Sequence, residues 1–251
     1  MKSSRFTLER VRALTADTAE LTFSGDASAI TQPGQFVNIA LPGYFLRRPV
    51  SVCDWTEDRL VLLIRVVGAG TRILADAAPG TEFDILSGLG NGFDLSPLSE
   101  IAPDRVILAG GGIGIAPLYG LAKALARQGA TPVAALGFRN REDAFYLDEF
   151  RAAGCEVLTA TEDGSLGERG LVTDLLRANA SRTYVFCCGP SPMLRAVHAL
   201  PHWTGGQYSF EARMGCGFGA CMGCSMPFRD GWKRVCKDGP VFVREEIVWE
   251  T

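Results

Sequence analysis

The sequence predicts a β barrel plus α/β fold in three consecutive units. These are an N-terminal antiparallel barrel (1–100), a doubly wound parallel-sheet unit (101–207) and a small C-terminal cysteine-rich unit (208–251). Three observations predict it. Residues 1–100 carry short β-rich segments punctuated by turns. From Pro103-Asp104 onward, apolar strands alternate with amphipathic helices. After Pro201 the alternation stops, and glycines and cysteines crowd together.

In the first unit, 6–11, 19–23, 35–40, 60–66 and 82–85 are rich in Val, Ile, Thr and Phe. Pro33-Gly34, Pro42-Gly43 and Pro79-Gly80 separate several of them, as expected for a small antiparallel barrel. Arg47-Arg48-Pro49-Val50-Ser51 is expected as a proline-set turn between two strands. A guanidinium fixed there beside a hydroxyl can hold a diphosphate or a flavin edge, although a surface basic turn fits the same residues. In the second unit, strands are expected at 105–109, 131–138, 156–161 and 183–188, and helices at 116–128, 143–153, 171–178 and 193–200. Leu118, Leu121, Ala122 and Leu125 share a helix face, and Gly129 is placed to end that helix.

Two glycine turns stand out. Gly110-Gly111-Gly112-Ile113-Gly114 lies between a strand and a helix, where unpaired N–H groups and the helix dipole favour an anion. It departs from the G-x-G-x-x-G dinucleotide fingerprint, and the following strand ends in Phe138-Arg139-Asn140, without the ribose-binding carboxylate of that fingerprint. Cys188-Gly189-Pro190 ends the last strand. A parallel sheet binds ligands beyond the carboxyl ends of its strands, so both turns belong on one rim. Either turn alone is equally compatible with a ligand-free βα connection.

Cys216, Cys221, Cys224 and Cys236 read C-x4-C-x2-C-x11-C, close to the plant-type two-iron, two-sulfur spacing. Gly215, Gly217, Gly219 and Gly223 let the loop curl and leave N–H groups free to face sulfur. Structural zinc and disulfides compete for the same thiols. Zinc ribbons usually pair two short knuckles, and disulfides belong to oxidising compartments. Cys53, Cys155 and Cys187 read as core residues, His198 and His202 as helix-end or surface groups, and Glu211 and Arg213 as braces for the cysteine loop or, equally, a surface pair.

A net charge of −3 gives no reason to expect nucleic-acid binding. The N-terminus lacks an apolar leader, and no apolar run reaches the roughly 18 residues of a membrane span. A cytoplasmic protein without a membrane partner is expected.

The order Arg48-Pro49-Val50-Ser51, Leu63-Ile64-Arg65, Gly68-Ala69-Gly70-Thr71, Gly110 to Pro117 and Cys188 to Met193 resembles the ferredoxin–NADP reductase family. The cysteine loop and Val235-Cys236-Lys237-Asp238-Gly239-Pro240-Val241-Phe242 narrow the resemblance to the electron-transfer subunits of bacterial NAD-dependent dihydroorotate dehydrogenases. The likeness covers nearly the whole chain.

The resemblance implies FAD between barrel and sheet, held by Arg48, Pro49, Val50, Ser51, Leu63, Ile64, Arg65, Gly70 and Thr71. It implies NAD on Gly110, Gly111, Gly112, Gly114, Cys188, Gly189 and Pro190, and a [2Fe–2S] cluster on Cys216, Cys221, Cys224 and Cys236. The last cysteine comes early for the family, so a trimmed loop is expected between Pro227 and Lys233. Arg139 and Arg141 leave NAD against NADP open. The implied activity is electron transfer to NAD+ in pyrimidine biosynthesis. Its implied partner is an FMN-containing dihydroorotate dehydrogenase catalytic subunit, two of each chain forming a heterotetramer. No acid–base catalyst stands out. A free-standing NAD(P)H:ferredoxin-type reductase and a non-enzymatic zinc-stabilised module are the competing readings.

Overall fold

The computed structural model describes residues 1–177 and 182–249. Six strands, β1 (Lys2–Ala13), β2 (Thr18–Gly25), β3 (Phe36–Ile39), β4 (Arg48–Trp55), β5 (Arg59–Arg65) and β6 (Glu82–Leu89), close into an antiparallel barrel in the order β1-β2-β5-β4-β3-β6. Alternation fills it: Phe83 and Ile85 of β6, Val37 and Ile39 of β3 and Leu60, Leu62 and Ile64 of β5 point into one core. Two short helices, α1 (Ala69–Ala75) and α2 (Pro97–Ile101), flank the last barrel strand.

Arg48 to Ser51 do not form a turn; they open strand β4. Pro49 is tolerated because β4 pairs with β5 only from Val52 onward, leaving one edge of its first residues free.

The second unit comprises β7 (Arg105–Gly111), α3 (Ala116–Arg127), β8 (Val133–Phe138), α4 (Leu147–Ala152), β9 (Glu156–Thr161), β10 (Glu168–Arg169), α5 (Val172–Arg177), β11 (Thr183–Cys188), α6 (Ser191–His198) and β12 (Trp203–Ser209). Gly129 follows α3 at φ 82°, as its place after the helix requires. The helix expected over 143–153 is only α4: the chain first makes a turn at 141–143, and Tyr146 takes a left-handed conformation at φ 67°. Ala178, the last residue of the helix expected over 171–178, lies outside the described residues.

The expectation that the sheet ends at Pro201 is also corrected. Strand β12 extends it in parallel beside β11 and crosses the 207/208 position. Beyond the hairpin β13 (Ser225–Phe228) and β14 (Gly231–Arg234), β15 (Val241–Val243) returns antiparallel to β12. The sheet order is β10-β9-β8-β7-β11-β12-β15, so the chain reverses direction across the sheet between β7 and β11. Alternate residues bury opposite faces. Leu108, Leu136 and Phe186 meet α3 and the barrel, while Ile107, Ala135 and Val185 meet α5 and α6. Among the described residues no helix is long and apolar enough to cross a membrane.

Barrel and sheet are joined by close packing and buried charge. Gly120 of α3 faces the Cys53 carbonyl, where an added Cβ would stand 3.0 Å from the oxygen. Beside it Lys123 pairs with Asp54 at 2.6 Å. Glu20 of β2 is buried and accepts hydrogen bonds from Arg12 at 2.6 Å, Arg10 at 2.9 Å and the Tyr146 hydroxyl at 2.8 Å. Arg12 also reaches Glu149 of α4 at 2.8 Å.

Burial pushes the Glu20 carboxyl up, but the bonds from Arg12 and Tyr146 outweigh it and hold the group below its ordinary value. A carboxyl depressed on folding stabilises the fold above its unfolded pKa of about 4.3 and loses that contribution as the pH falls through the folded value. Glu20→Gln is therefore expected to cost about 1 kcal/mol at neutral pH, because it removes the charge that accepts from the half-exposed Arg12 and Arg10 and from Tyr146. Urea titrations should show that gap narrowing below about pH 4. Equal midpoints at neutral pH would refute the assignment.

Candidate functional site

Three sets of residues meet around the barrel–sheet joint. The first lies on the barrel. Val37 and Ile39 point inward, so Asn38 points outward. Its cross-strand partner Pro49 and the next alternate residue, Ser51, share that outer face. The Arg48 guanidinium lies 4.5 Å over the Tyr44 ring and donates to the Leu46 carbonyl at 2.6 Å. It also rests on bare Gly70 of α1, where a Cβ would stand 2.7 Å from Arg48 Nε. Thr71 Oγ1 accepts from the backbone N–H of Val67 at 3.0 Å and ties down the start of α1. Structure thus brings Arg48, Gly70 and Thr71 together. A cation laid on an uncovered helix start suits a diphosphate. Val50 and Ile64 pack with the barrel core, and Leu63 is buried at the joint.

The second set forms the rim of the sheet. Gly114 packs so closely on Cys188-Gly189 that a Cβ would lie 2.6 Å from the Cys188 carbonyl oxygen. Gly111 is likewise closed over by Met193 and Pro190. The two glycine turns are thus one structure, at the point where the strand order reverses. A cleft of about 400 Å³ opens beside it, lined by Gly111, Gly112, Pro190 and Met193 together with Asp17 and Arg65 of the barrel. Gly110 sits beneath the turn against Ile115 and Leu118, and Cys188 is buried. Glu162, just beyond β9, and Asp143 line the same cleft.

The third set is the cysteine loop. Its four sulfurs stand in two pairs. Cys216 and Cys221 each donate a backbone N–H to the other's Sγ at 3.4 Å, and the Cys236 N–H donates to Cys224 Sγ at 3.4 Å. Among the described residues, no three His, Cys, Asp or Glu side chains converge as the ligands of one metal ion. Four thiols suit a two-iron cluster, in which each iron takes two cysteines. Burial works against ionising Cys216, yet N–H groups of Phe218, Cys221 and Ala220 bring it down to about 6. Burial and the adjoining Cys224 push Cys236 up to about 12.

Two residues that sequence reasoning did not single out hold this loop. Asn38 Nδ2 donates to the Cys216 carbonyl at 3.1 Å, so the loop is fastened to the barrel face bearing Pro49 and Ser51. Gly217, at φ 80°, leaves the space in which the Asn38 amide lies. Arg234 donates to the Gly219 carbonyl at 3.0 Å and is itself held by Asp238 at 3.1 Å. Both expectations for Glu211 and Arg213, braces or a surface pair, are corrected: the two are exposed and make no hydrogen bond or ion pair among the described residues. His198 is likewise more than a surface group. It lies between Tyr208 and Trp249, and its Nε2 meets the Arg244 carbonyl at 3.2 Å.

Residues 211–248 match the iron–sulfur cluster binding domain of dihydroorotate dehydrogenase B, and 108–199 match an oxidoreductase NAD-binding domain. The electron transfer subunit of dihydroorotate dehydrogenase B (NAD(+)) from Bacillus caldolyticus is 43% identical, over 97% of this chain and 98% of its own. Its counterpart from Fusobacterium nucleatum is 38% identical over 98% and 99%. Among solved structures, the NADH-dependent reduced ferredoxin–NADP oxidoreductase superposes with a TM-score of 0.84 at 27% identity, over 97% of this chain and 90% of that one.

The Asn38–Gly217 contact generates a test. Gly217→Ala adds a Cβ at a left-handed φ and against Asn38, a strain on the order of 1–3 kcal/mol. The variant is expected to lose iron and sulfide faster under mild chelation than the unmodified chain. Identical loss curves would remove Gly217 from the account.

Proposed function

Because the chain belongs to the family of electron transfer subunits of dihydroorotate dehydrogenase B (NAD(+)), we propose that its three residue sets hold three redox groups in series, the barrel face FAD, the rim NAD and the cysteine loop a [2Fe–2S] cluster. The chain is the oxidoreductase subunit that delivers to NAD+ the electrons a catalytic partner draws from dihydroorotate. The observation that carries this reading is the paired cysteine quartet fastened through Asn38 to the barrel face of Pro49 and Ser51.

The residues divide the work. Arg48, with Gly70 and Thr71, holds the flavin diphosphate, while Pro49, Ser51 and the backbone at Val50 seat its ring; the backbone of Leu63 to Arg65 completes the wall. Gly111, Gly112 and Gly114, with Gly110 beneath, receive the nicotinamide nucleotide against Cys188, Gly189 and Pro190. Cys216, Cys221, Cys224 and Cys236 ligate the cluster, and N–H groups around their sulfurs stabilise negative charge there. FAD supplies the conversion between hydride and single electrons, and the cluster the one-electron relay. The protein's part is to keep the three sites at short, fixed separations. The proposed division is 1–100 for flavin, 101–207 for pyridine nucleotide and 208–251 for the cluster. The partner is proposed to carry FMN and to assemble with this chain as a cytoplasmic heterotetramer, two of each.

Co-expression with a candidate FMN-bearing subunit is expected to yield a complex that reduces NAD+ at the expense of dihydroorotate. A cofactor-replete complex without that activity would overturn the proposal, as would zinc without acid-labile sulfide in the isolated chain. Cys221→Ser is expected to abolish the coupled reaction while largely sparing NADH oxidation by artificial acceptors. Loss of both activities would show the cluster to be needed for the fold as well as for transfer.

A further inference from the structure

The turn that carries Cys236 is closed by a charged clip that ligation alone does not require. Arg234 and Asp238 stand on either side of Cys236, at i and i+4. The Arg234 carbonyl accepts the backbone N–H of Asp238 at 2.8 Å and that of Lys237 at 3.1 Å. The Asp238 carboxylate closes the turn from the other end. Its Oδ2 accepts the Arg234 backbone N–H at 2.8 Å and Nε at 3.1 Å, and its Oδ1 accepts Nη2 at 3.2 Å. A carboxylate holding two edge nitrogens in this way fixes the plane of the guanidinium. The remaining nitrogen, Nη1, donates to the Gly219 carbonyl at 3.0 Å, in the segment between Cys216 and Cys221. One guanidinium therefore joins both cysteine-bearing segments. Asn91, beyond the last barrel strand, steadies the clip by donating through Nδ2 to the Asp238 carbonyl at 3.1 Å. The Arg234 side chain is 25% exposed and that of Asp238 32%, so solvent screens both charges only in part.

We infer that Arg234 and Asp238 set the reduction potential of the group held by the cysteine loop, Arg234 as the nearer, stabilising charge and Asp238 as the counter-charge that moderates it. The inference rests on that group being a [2Fe–2S] cluster. Arg234 lies within electrostatic reach of the Cys236 and Cys224 sulfurs, whereas Asp238 is in reach of Arg234 and Lys237. Reduction brings one electron, and with it one unit of negative charge, to the iron and sulfur between the four thiolates. A cation close to those sulfurs favours the reduced state, and an anion behind the cation opposes it. The pair is neutral as a whole, but its two charges stand at unequal distances from the sulfurs and do not cancel there. A clip with only a mechanical role would behave alike when either half is neutralised. A charge pair responds with opposite signs.

The test uses the full chain with its flavin and cluster, poised with dithionite across a range of potentials and followed by the electron paramagnetic resonance of the reduced cluster. Iron and acid-labile sulfide are assayed alongside. At the midpoint of the unmodified chain, Arg234→Gln is expected to lower the reduced-to-oxidised ratio about tenfold, a fall of about 59 mV for one electron. Asp238→Asn is expected to raise the ratio about threefold, or roughly 30 mV. The double variant should return to within about twofold of the unmodified ratio, because the opposed shifts offset each other. Arg234→Lys keeps the charge and gives up the fork, and should stay closer to the unmodified chain than to Arg234→Gln. Should Arg234→Gln alone shed its iron, the sign of the Asp238→Asn shift decides. Shifts of one sign in both single variants, or shifts below about twofold with iron and sulfide retained, would overturn the inference. Loss of iron from Arg234→Gln and Arg234→Lys alike would overturn it too, leaving Arg234 a purely mechanical brace. An unmodified chain with neither sulfide nor the resonance after anaerobic reconstitution would instead overturn the reading of the cysteine loop itself.

Discussion

The buried Glu20 carboxylate is the interaction on which the rest of this architecture depends. It gathers Arg10 and Arg12 of the barrel and the Tyr146 hydroxyl of the α/β unit, and Arg12 passes the connection on to Glu149. A buried ion pair adds little net stability, because desolvating the charges offsets much of their attraction; what it adds is a defined geometry. Here the geometry matters because the proposed flavin site is on the barrel, the nucleotide site on the sheet rim, and the cleft between them has walls from both. Hinge motion at this joint would change the separation of the two redox groups directly. Gly120 against the Cys53 carbonyl and Lys123 on Asp54 close the same joint from the other side.

Close approach of bare backbone is the second constraint. At Gly114, Gly111 and Gly70 the neighbour stands where a side chain would begin, and each glycine brings together elements far apart in sequence. Gly114 locks the β7 turn onto the end of β11, and Gly70 lets the Arg48 guanidinium lie against α1. The same device fastens the cysteine loop to the barrel, with Gly217 giving way to Asn38. The tail is thus part of the main body twice over: its loop grips β3, and β15 completes the edge of the large sheet.

These contacts place two kinds of chemistry in one frame. N–H groups aimed at sulfur favour the ionised thiolates that iron requires, and Arg234 keeps the loop backbone in the posture that aims them. The proposed nucleotide rim instead offers glycine N–H groups suited to phosphate. Neither site needs a proton donor or acceptor of unusual strength, in keeping with a subunit whose task is to position redox groups.

Local sequence by itself determined the strands of the barrel other than β4, the alternation of the α/β unit, the two glycine turns and the cysteine spacing. All are carried by residues within a few positions of one another, where periodicity and turn chemistry act. The resemblance carried the cofactor assignments. Tertiary structure decided the rest. It drew Arg48 to Ser51 into a strand, because a neighbouring strand was there to pair with them. It added β12 and β15 to the sheet, and it split the cysteines into pairs. It also recruited Asn38 and Arg234, neither of which has a motif around it. Those outcomes turn on contacts between residues tens to nearly two hundred positions apart, such as Asn38 with Cys216, and no local pattern records which distant groups the packed chain will bring face to face.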